Sequence, residues 1–358
     1  MRTWASRLLI GSGVALLALA AMAPAFAAEK PLDPEAGRPP VWGGEADAIG
    51  VVFFADRRAG LTPVKDGFTS EPQSVHGELP EGRSRFDSSG ITRARASVFY
   101  PGATVAGGAG LVCGELGGAF PEPFATIFRI CEQNKDYPLS VQADADTPDA
   151  ATPGSVGFGR TGDPLSANAG SARAHAGRDY VATDAVLHDL TVLGPKGLPA
   201  AVKAFGTAAS AVLGRGLATA ASDPAAAAAV HVDKVVSRTS QRFAGKVLTV
   251  VAEARLEGVS LAGGAVTIDS VLARTVSRTQ GDGPPVTEAV TTYQGVRVAG
   301  QPAEIGSRGV VVGPAGSPVA SVLNEALAKL LGSTGMSIRA LGAAQRTEGI
   351  QTSGDAQG

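Results

Sequence analysis

The sequence predicts a mainly β fold: a long antiparallel meander with repeated hairpin units, an Ala-rich helical segment, and one C-terminal amphipathic helix packed on the sheet. Three observations carry this expectation. Gly (47) and Pro (23) make up about a fifth of the 358 residues, above the roughly 12% of average proteins and below the roughly 25–30% of low-complexity chains. Residues 230–312 read as a β meander of unusually long strands. A pattern also recurs within that stretch: LEGVSLAGGAVTID at 256–269 returns as YQGVRVAGQPAEIG at 293–306, in the same register and 37 residues later.

The elements follow in chain order. Arg2 and Arg7 precede an apolar run over 8–23 and then Pro24-Ala25-Phe26-Ala27. That is the order of a secretory signal peptide, 1–27, cleaved after Ala27; the rival is a retained N-terminal anchor. Residues 28–47 form a Pro-rich linker. An N-terminal β region, 48–195, opens with a strand at 48–55. Between 56 and 90 the chain is broken by Pro63, Pro72 and Pro80 and reads mostly as loop with short strands. Arg93 and Arg95 alternate with Ala94 and Ala96 in a strand over 91–100. Cys113 and Cys131 are the only cysteines, an even pair in an exported chain, which predicts one disulfide. Its closed loop would contribute on the order of 3 kcal/mol. Residues 144–171, rich in Asp, Pro, Ala, Gly and Ser, read as a long loop.

A helical connector, 196–225, places Leu198, Val202, Phe205, Val212 and Leu213 near helical spacing, with Gly206, Gly214 and Gly216 weakening it. The C-terminal meander, 226–349, contains a helix at 318–331: Ser317 caps it, Pro318 suits the first helical position, and Val319, Val322, Leu323, Ala326, Leu327, Leu330 and Leu331 form one face before Gly332. Residues 336–344 alternate as a further strand. The polar stretch 350–358 reads as a disordered tail holding no anchor.

In the recurring unit a large residue precedes Gly258 or Gly295, then Val259 and Leu261 or Val296 and Val298 alternate, and an Ala-Gly pair permits a tight reversal. Looser copies stand at 187–194 and 100–108. If all four are genuine, the protein is two related β halves joined across the helical connector.

The charge balance, net −2 with 5% aromatics, argues against a basic nucleic-acid binder. His76, His175, His188 and His231 lack metal-ligand spacing, and His188 and His231 read as surface residues. The G-x-G-x-x-G at 157–162 follows a loop and precedes Asp163-Pro164, the wrong setting for a dinucleotide fingerprint. Asp144, Asp146 and Asp149 are the metal candidates, of the kind that hold calcium, against a solvated acidic loop. Arg83, Arg85, Arg93 and Arg95 form either a basic patch for anionic envelope polymers or an exposed strand face. No nucleophile elbow marks a hydrolase, so no catalytic residue and no cofactor is expected.

The meander over 230–312, followed by Leu323-Asn324-Glu325-Ala326-Leu327 and Met336-Ser337-Ile338-Arg339-Ala340-Leu341, resembles secreted proteins of high-GC Gram-positive bacteria similar to the choice-of-anchor group. The resemblance covers mainly 181–350. It implies export and an envelope setting; no catalytic residues are assigned to such proteins, so none transfer. The chain departs from the pattern by ending without a sorting or membrane segment. The expectation is an exported, non-enzymatic β protein acting in cell-envelope association or adhesion, secreted or envelope-bound. Its partner would be a cell-wall polymer, an envelope protein or an apolar ligand. The alternative is a carrier of an apolar or lipid ligand between sheet and helix, and a hydrolase with a dispersed site is the third reading.

Overall fold

A computed structural model describes residues 43–54, 76–100, 139–160, 162–194, 198–214, 228–280, 285–314, 317–340, 344–348 and 351–355. The predicted signal peptide, Cys113, Cys131 and most of the copy at 100–108 lie outside these residues. The fold is mainly β, as predicted. A four-stranded antiparallel sheet runs in the order β1 (Gly43–Phe54), β2 (His76–Asp87), β3 (Thr92–Ser97), β4 (Ser140–Asp144). It covers one face of an eleven-stranded sheet. From one edge the large sheet contains β5 (Asp149–Ala151), β7 (Ala169–Ala176), β8 (Tyr180–Leu193), β9 (Ala228–Ala244), β10 (Val247–Leu261) and β11 (Val266–Gln280). Beyond β11 come β13 (Arg297–Val298), β14 (Gln301–Gly306) and β15 (Gly309–Val312), while β6 (Leu165–Ser166) pairs with β8 and β12 (Val286–Gln294) with β11. Because β8 pairs directly with β9, the large sheet runs continuously across the helical connector.

The two sheets approach closely through small residues. A Cβ on Gly82 would lie 2.4 Å from Thr183 Oγ1, inside contact distance. The interface is also polar where the backbones come near: Ser237 Oγ donates to the Pro80 carbonyl, and Gln241 Nε2 donates to Ser84. Around these bonds pack Leu79, Phe86, Ala94, Ala96, Val98, Ala172, Ala174, Val181, Ala185 and Leu187, all buried. This explains two departures from the sequence reading. The supposed loop over 144–171 carries β5, β6 and the start of β7, because its Ala and Gly residues serve close sheet packing. The Pro-broken stretch before residue 90 contains the twelve-residue β2. Pro80 is tolerated because it stands opposite Gly50, and the ladder to β3 begins only at Glu81.

A line crossing five strands shifts the side-chain phase of the large sheet. Leu187 and Leu190, Val232 and Val235, and Ile268 and Val271 are buried, with two unburied residues between the members of each pair. Leu256/Val259 and Tyr293/Val296 repeat the pattern. The residues between them align across the strands: His188, Lys234, Glu257, Ser270 and Gln294 pair in series. Their neighbours Asp189, Gly258 and Gly295 have φ of 55°, 63° and 65°, and each occupies the third position of its copy of the sequence unit. The Asp233 carboxylate sits over Gly258, 1.9 Å from where a Cβ would be, and the Asp269 carboxylate has the same relation to Gly295. The reversals that follow are left-handed too. Ala299 (φ 49°) and Gly300 (φ 76°) form a two-residue hairpin loop between Val298 and Gln301, the signature of a type I′ turn; Ala262 and Gly263 have φ of 51° and 65° within a four-residue loop.

Two helices close one end of the sheet. α1 (Leu198–Leu213) and α2 (Pro318–Thr334) pack on each other and over the hairpin residues Ala262, Ala265, Val266 and Val298. Ser317 Oγ accepts from the Ala320 amide as the N-cap. The helix passes Gly332 and ends one turn later than predicted, at a Schellman cap in which left-handed Gly335 donates to Gly332 and Met336 donates to Leu331. The Asn324 side chain accepts from the Val312 amide and ties α2 to β15. Residues 336–340, within the strand predicted over 336–344, form no ladder; Met336 and Ile338 pack against the helix cluster and Ala340 donates to the Gly306 carbonyl. Residues 351–355, expected in a disordered tail, form β17 (Gln351–Asp355) paired with β16 (Ala344–Glu348).

Gly258→Ala should destabilise the fold by about 2 kcal/mol or more, since it combines a left-handed backbone with a clash against Asp233. Ala299→Gly should be neutral or stabilising by up to about 1 kcal/mol, since it relieves a left-handed alanine. Urea midpoints of the two variants check both signs.

Candidate functional site

The outer face of the large sheet, turned away from the four-stranded sheet, carries a groove of about 720 Å³. Its geometry follows from register. Strand pairing sets Arg173, Asp184, Arg238, Glu253 and Arg274 side by side on β7, β8, β9, β10 and β11. Two residues along, a row of smaller groups runs His175, Ala182, Ser240, Val251 and Val276. Two residues further, Tyr180, Arg242, Thr249 and Arg278 stand side by side on the same face, and of these Tyr180 lines the groove. Strand alternation puts all three rows on the same face. The result is a trough running across the strands, with His175 and Asp149 at one end.

Its charges are partly paired. Arg238 Nε lies 3.0 Å from Asp184, and Arg274 Nε lies 3.6 Å from Glu253. The hydrogen bond from Arg238 to Asp184 holds the guanidinium pKa above its usual value, outweighing burial. His175 Nδ1 lies 2.8 Å from Asp149, and its ring lies 5.7 Å from that of Tyr180. Arg173, Arg242 and Arg278 are exposed and have no carboxylate partner among the described residues. The groove lining itself holds Arg173 and Arg238 together with Asp149, Asp184 and Glu253.

The arginines singled out from sequence behave differently. They do not make a free basic patch on the small sheet. Arg83 is bonded to Asp47, Arg85 Nε lies 3.4 Å from Asp87, and Arg95 pairs with the wholly buried Glu81 while its guanidinium lies 3.9 Å from the Tyr100 ring centre. The acids that neutralise Arg83, Arg85 and Arg95 come from β1 and from β2 itself, and alternation within β3 alone could not reveal them; Arg93 is exposed and stands opposite Asp144 on β4. Burial pushes the Glu81 carboxyl above the usual glutamate value despite Arg95. Burial opposes the charge of Arg95, but the Glu81 hydrogen bond and charge prevail and raise its pKa.

The metal candidates Asp144, Asp146 and Asp149 do not converge on a common point. Asp144 accepts from the Asp146 and Thr147 amides and from the Thr147 hydroxyl, closing its own turn. These bonds keep its carboxyl below the usual range. Asp149 faces His175 on the next strand. Among the described residues, the ligand-type side chains that do meet are Asp189, His231 and Asp233, with donor atoms within 4.8 Å of one another. His231 Nδ1 lies 3.0 Å from Thr191 Oγ1 and Nε2 lies 3.2 Å from Asp233, so this cluster sits on the phase-shift line and is knitted into it. Sequence spacing missed it because Asp189 comes from the neighbouring strand. Within the G-x-G-x-x-G stretch, Phe158 bridges to Ala167.

The fold and this face define a mainly β protein in which a four-stranded sheet covers one face of an eleven-stranded sheet and a charged groove lies on the other. No protein-family model, curated protein or solved structure matches the chain. No helix among the described residues is long and apolar enough to cross a membrane.

Because the folded pKa of Glu81 lies above 4.5, the folded state holds this proton more tightly than the unfolded chain does. The stability it contributes is therefore present below pH 4.5 and lost as pH rises through the raised value. Glu81→Gln should remove that decline. Urea midpoints at pH 4.5 and pH 7 should show the variant gaining on the parent at the higher pH, and a pH-independent difference would contradict the assignment.

Proposed function

We propose that this is an exported, non-enzymatic β protein that acts in cell-envelope association or adhesion through the outer face of its large sheet. The trough carries the reading: an open, charge-lined surface on rigid paired strands suits contact with an extended partner. Export rests on the leader at 1–27, and an envelope setting on the resemblance described above. The related units at 187–194, 256–269 and 293–306 are proposed to be repeats, which the shared left-handed third residue supports. The carrier alternative has less room, since the sheet–helix interface is filled by Leu198, Phe205, Leu323, Leu327 and Leu330.

The mature chain from Ala28, incubated with isolated envelope material, should co-sediment at low ionic strength and be released as salt screens the arginines. A co-purifying lipid mass in native mass spectrometry would instead support the carrier. Turnover of ester or glycoside substrates would overturn the non-enzymatic assignment.

A further inference from the structure

We infer that Asp189, His231 and Asp233 form a binding site for a divalent metal ion of the zinc class, a property independent of the envelope-association reading. Their ligand atoms lie within 4.8 Å of one another. Register brings them together: between the pairs His188–Lys234 and Leu190–Val232, Asp189 of β8 stands opposite Asp233 of β9, and His231 precedes Asp233 by two residues on the same face. His231 Nε2 lies 3.2 Å from Asp233 Oδ1, against about 3.4 Å between two ligands of a tetrahedral zinc ion. Each ligand is aimed by a group outside the set. Thr191 Oγ1 lies 3.0 Å from His231 Nδ1, and a metal-bound imidazole is held by such a hydrogen bond from its other ring nitrogen. Asn168 Nδ2 donates to Asp189 Oδ2 over 3.0 Å, which leaves Oδ1 for the ion. Asp233 presents Oδ2 to Gly258 and Oδ1 to His231.

The next copy of the sequence unit shows what the first one lacks. Asp269 sits over Gly295 as Asp233 sits over Gly258, and Arg297, two residues after Gly295, neutralises Asp269 at 2.7 Å. Two residues after Gly258 stands the uncharged Ser260, and Thr267 occupies in the second copy the place of His231. Among the described residues neither Asp189 nor Asp233 has a lysine or arginine partner. Two carboxylates thus converge with a single imidazole. In the tautomer that donates Nδ1–H to Thr191, the Nε2 lone pair faces a carboxylate oxygen, and a cation between them reconciles the two acceptors. A proton on His231 sets one positive charge against two carboxylates; a divalent ion matches both. The imidazole selects a zinc-class ion, since calcium takes six to eight oxygens. Asp189 and Asp233 are exposed, so the ion keeps a position open to water, as three-ligand zinc sites do.

Isothermal titration of the purified protein with Zn²⁺ and with Ca²⁺ at pH 7, joined to nitrogen NMR of the histidine rings, tests the site. Zinc should bind one to one and calcium far more weakly. Asp189→Asn and His231→Gln should abolish zinc binding, and Thr191→Val should weaken it about tenfold. Asp146→Asn, in the acidic turn after β4, should leave it intact, and the metal-free melting temperatures should match the parent's. In the parent, zinc should shift the His231 Nε2 resonance while Nδ1 keeps its proton, a readout that needs no variant. Absence of zinc binding, tighter binding of calcium, parental affinity in His231→Gln or Asp189→Asn, or zinc uptake without a change at His231 Nε2 would overturn the inference.

Discussion

Asp233 seated on Gly258, and Asp269 on Gly295, are the contacts on which the large sheet depends. A strand with strict alternation buries residues at one parity only, and β9 buries Val232 and Val235, which differ in parity. Both can face the core only if the strand changes phase between them, and neighbouring strands must change at the same level or the ladder breaks. Left-handed residues at 189, 258 and 295 occur in alternate strands along that level. The intervening strands supply an aspartate whose carboxylate occupies the space a side chain would need. Removing that space at Gly258 affects β9 as much as β10, which is why a single methyl should cost more than its volume suggests.

The two faces of the large sheet follow opposite rules as a consequence. On the inner face close approach is purchased with Gly, Ala and Ser, and the few polar groups trapped there, such as Gln241 and Thr183, bond to backbone or to one another. On the outer face the same strands carry long charged side chains whose stems cover the sheet while their heads stay in water. Cross-strand pairs of opposite sign add modest stability at such exposure, roughly 0–1 kcal/mol each. The ladder from Arg173 to Arg274 is therefore of more consequence as a pattern of charge presented to a partner than as a source of stability.

Much of this was legible in the sequence, and the illegible parts have specific causes. The meander expected over 230–312 contains most of β9 and all of β10 to β15, and Ser317-Pro318 with its apolar stripe located α2. The recurring unit pointed to Gly258, Gly295 and the Ala-Gly reversals, though only as hairpin features and not as a phase shift. Small-residue stretches misled in the other direction: Ala169 and Gly170, inside the expected loop 144–171, look like loop until Val98 is seen close against Gly170. Pairings between distant strands were out of reach. Asp47 for Arg83, Glu81 for Arg95 and Asp189 for His231 each depend on which strands become neighbours. The trough was invisible for the same reason, because its walls are single residues drawn from five strands.

Register links the fold to that surface. The rows Arg173–Asp184–Arg238–Glu253–Arg274 and Tyr180–Arg242–Thr249–Arg278 exist only while four successive strand pairings keep their register. A slip of one residue in β10 would turn Ala252 and Ala254 outward and bury Glu253 against the small sheet, a buried unpaired carboxylate that the structure could not bear. The left-handed turn at 262–265 and the Gly258–Asp233 contact both oppose such a slip, one at the end of β10 and one within it. Backbone strain accepted at Ala262 and Ala299 thus serves to hold register, and the register holds five arginines in place on the open face.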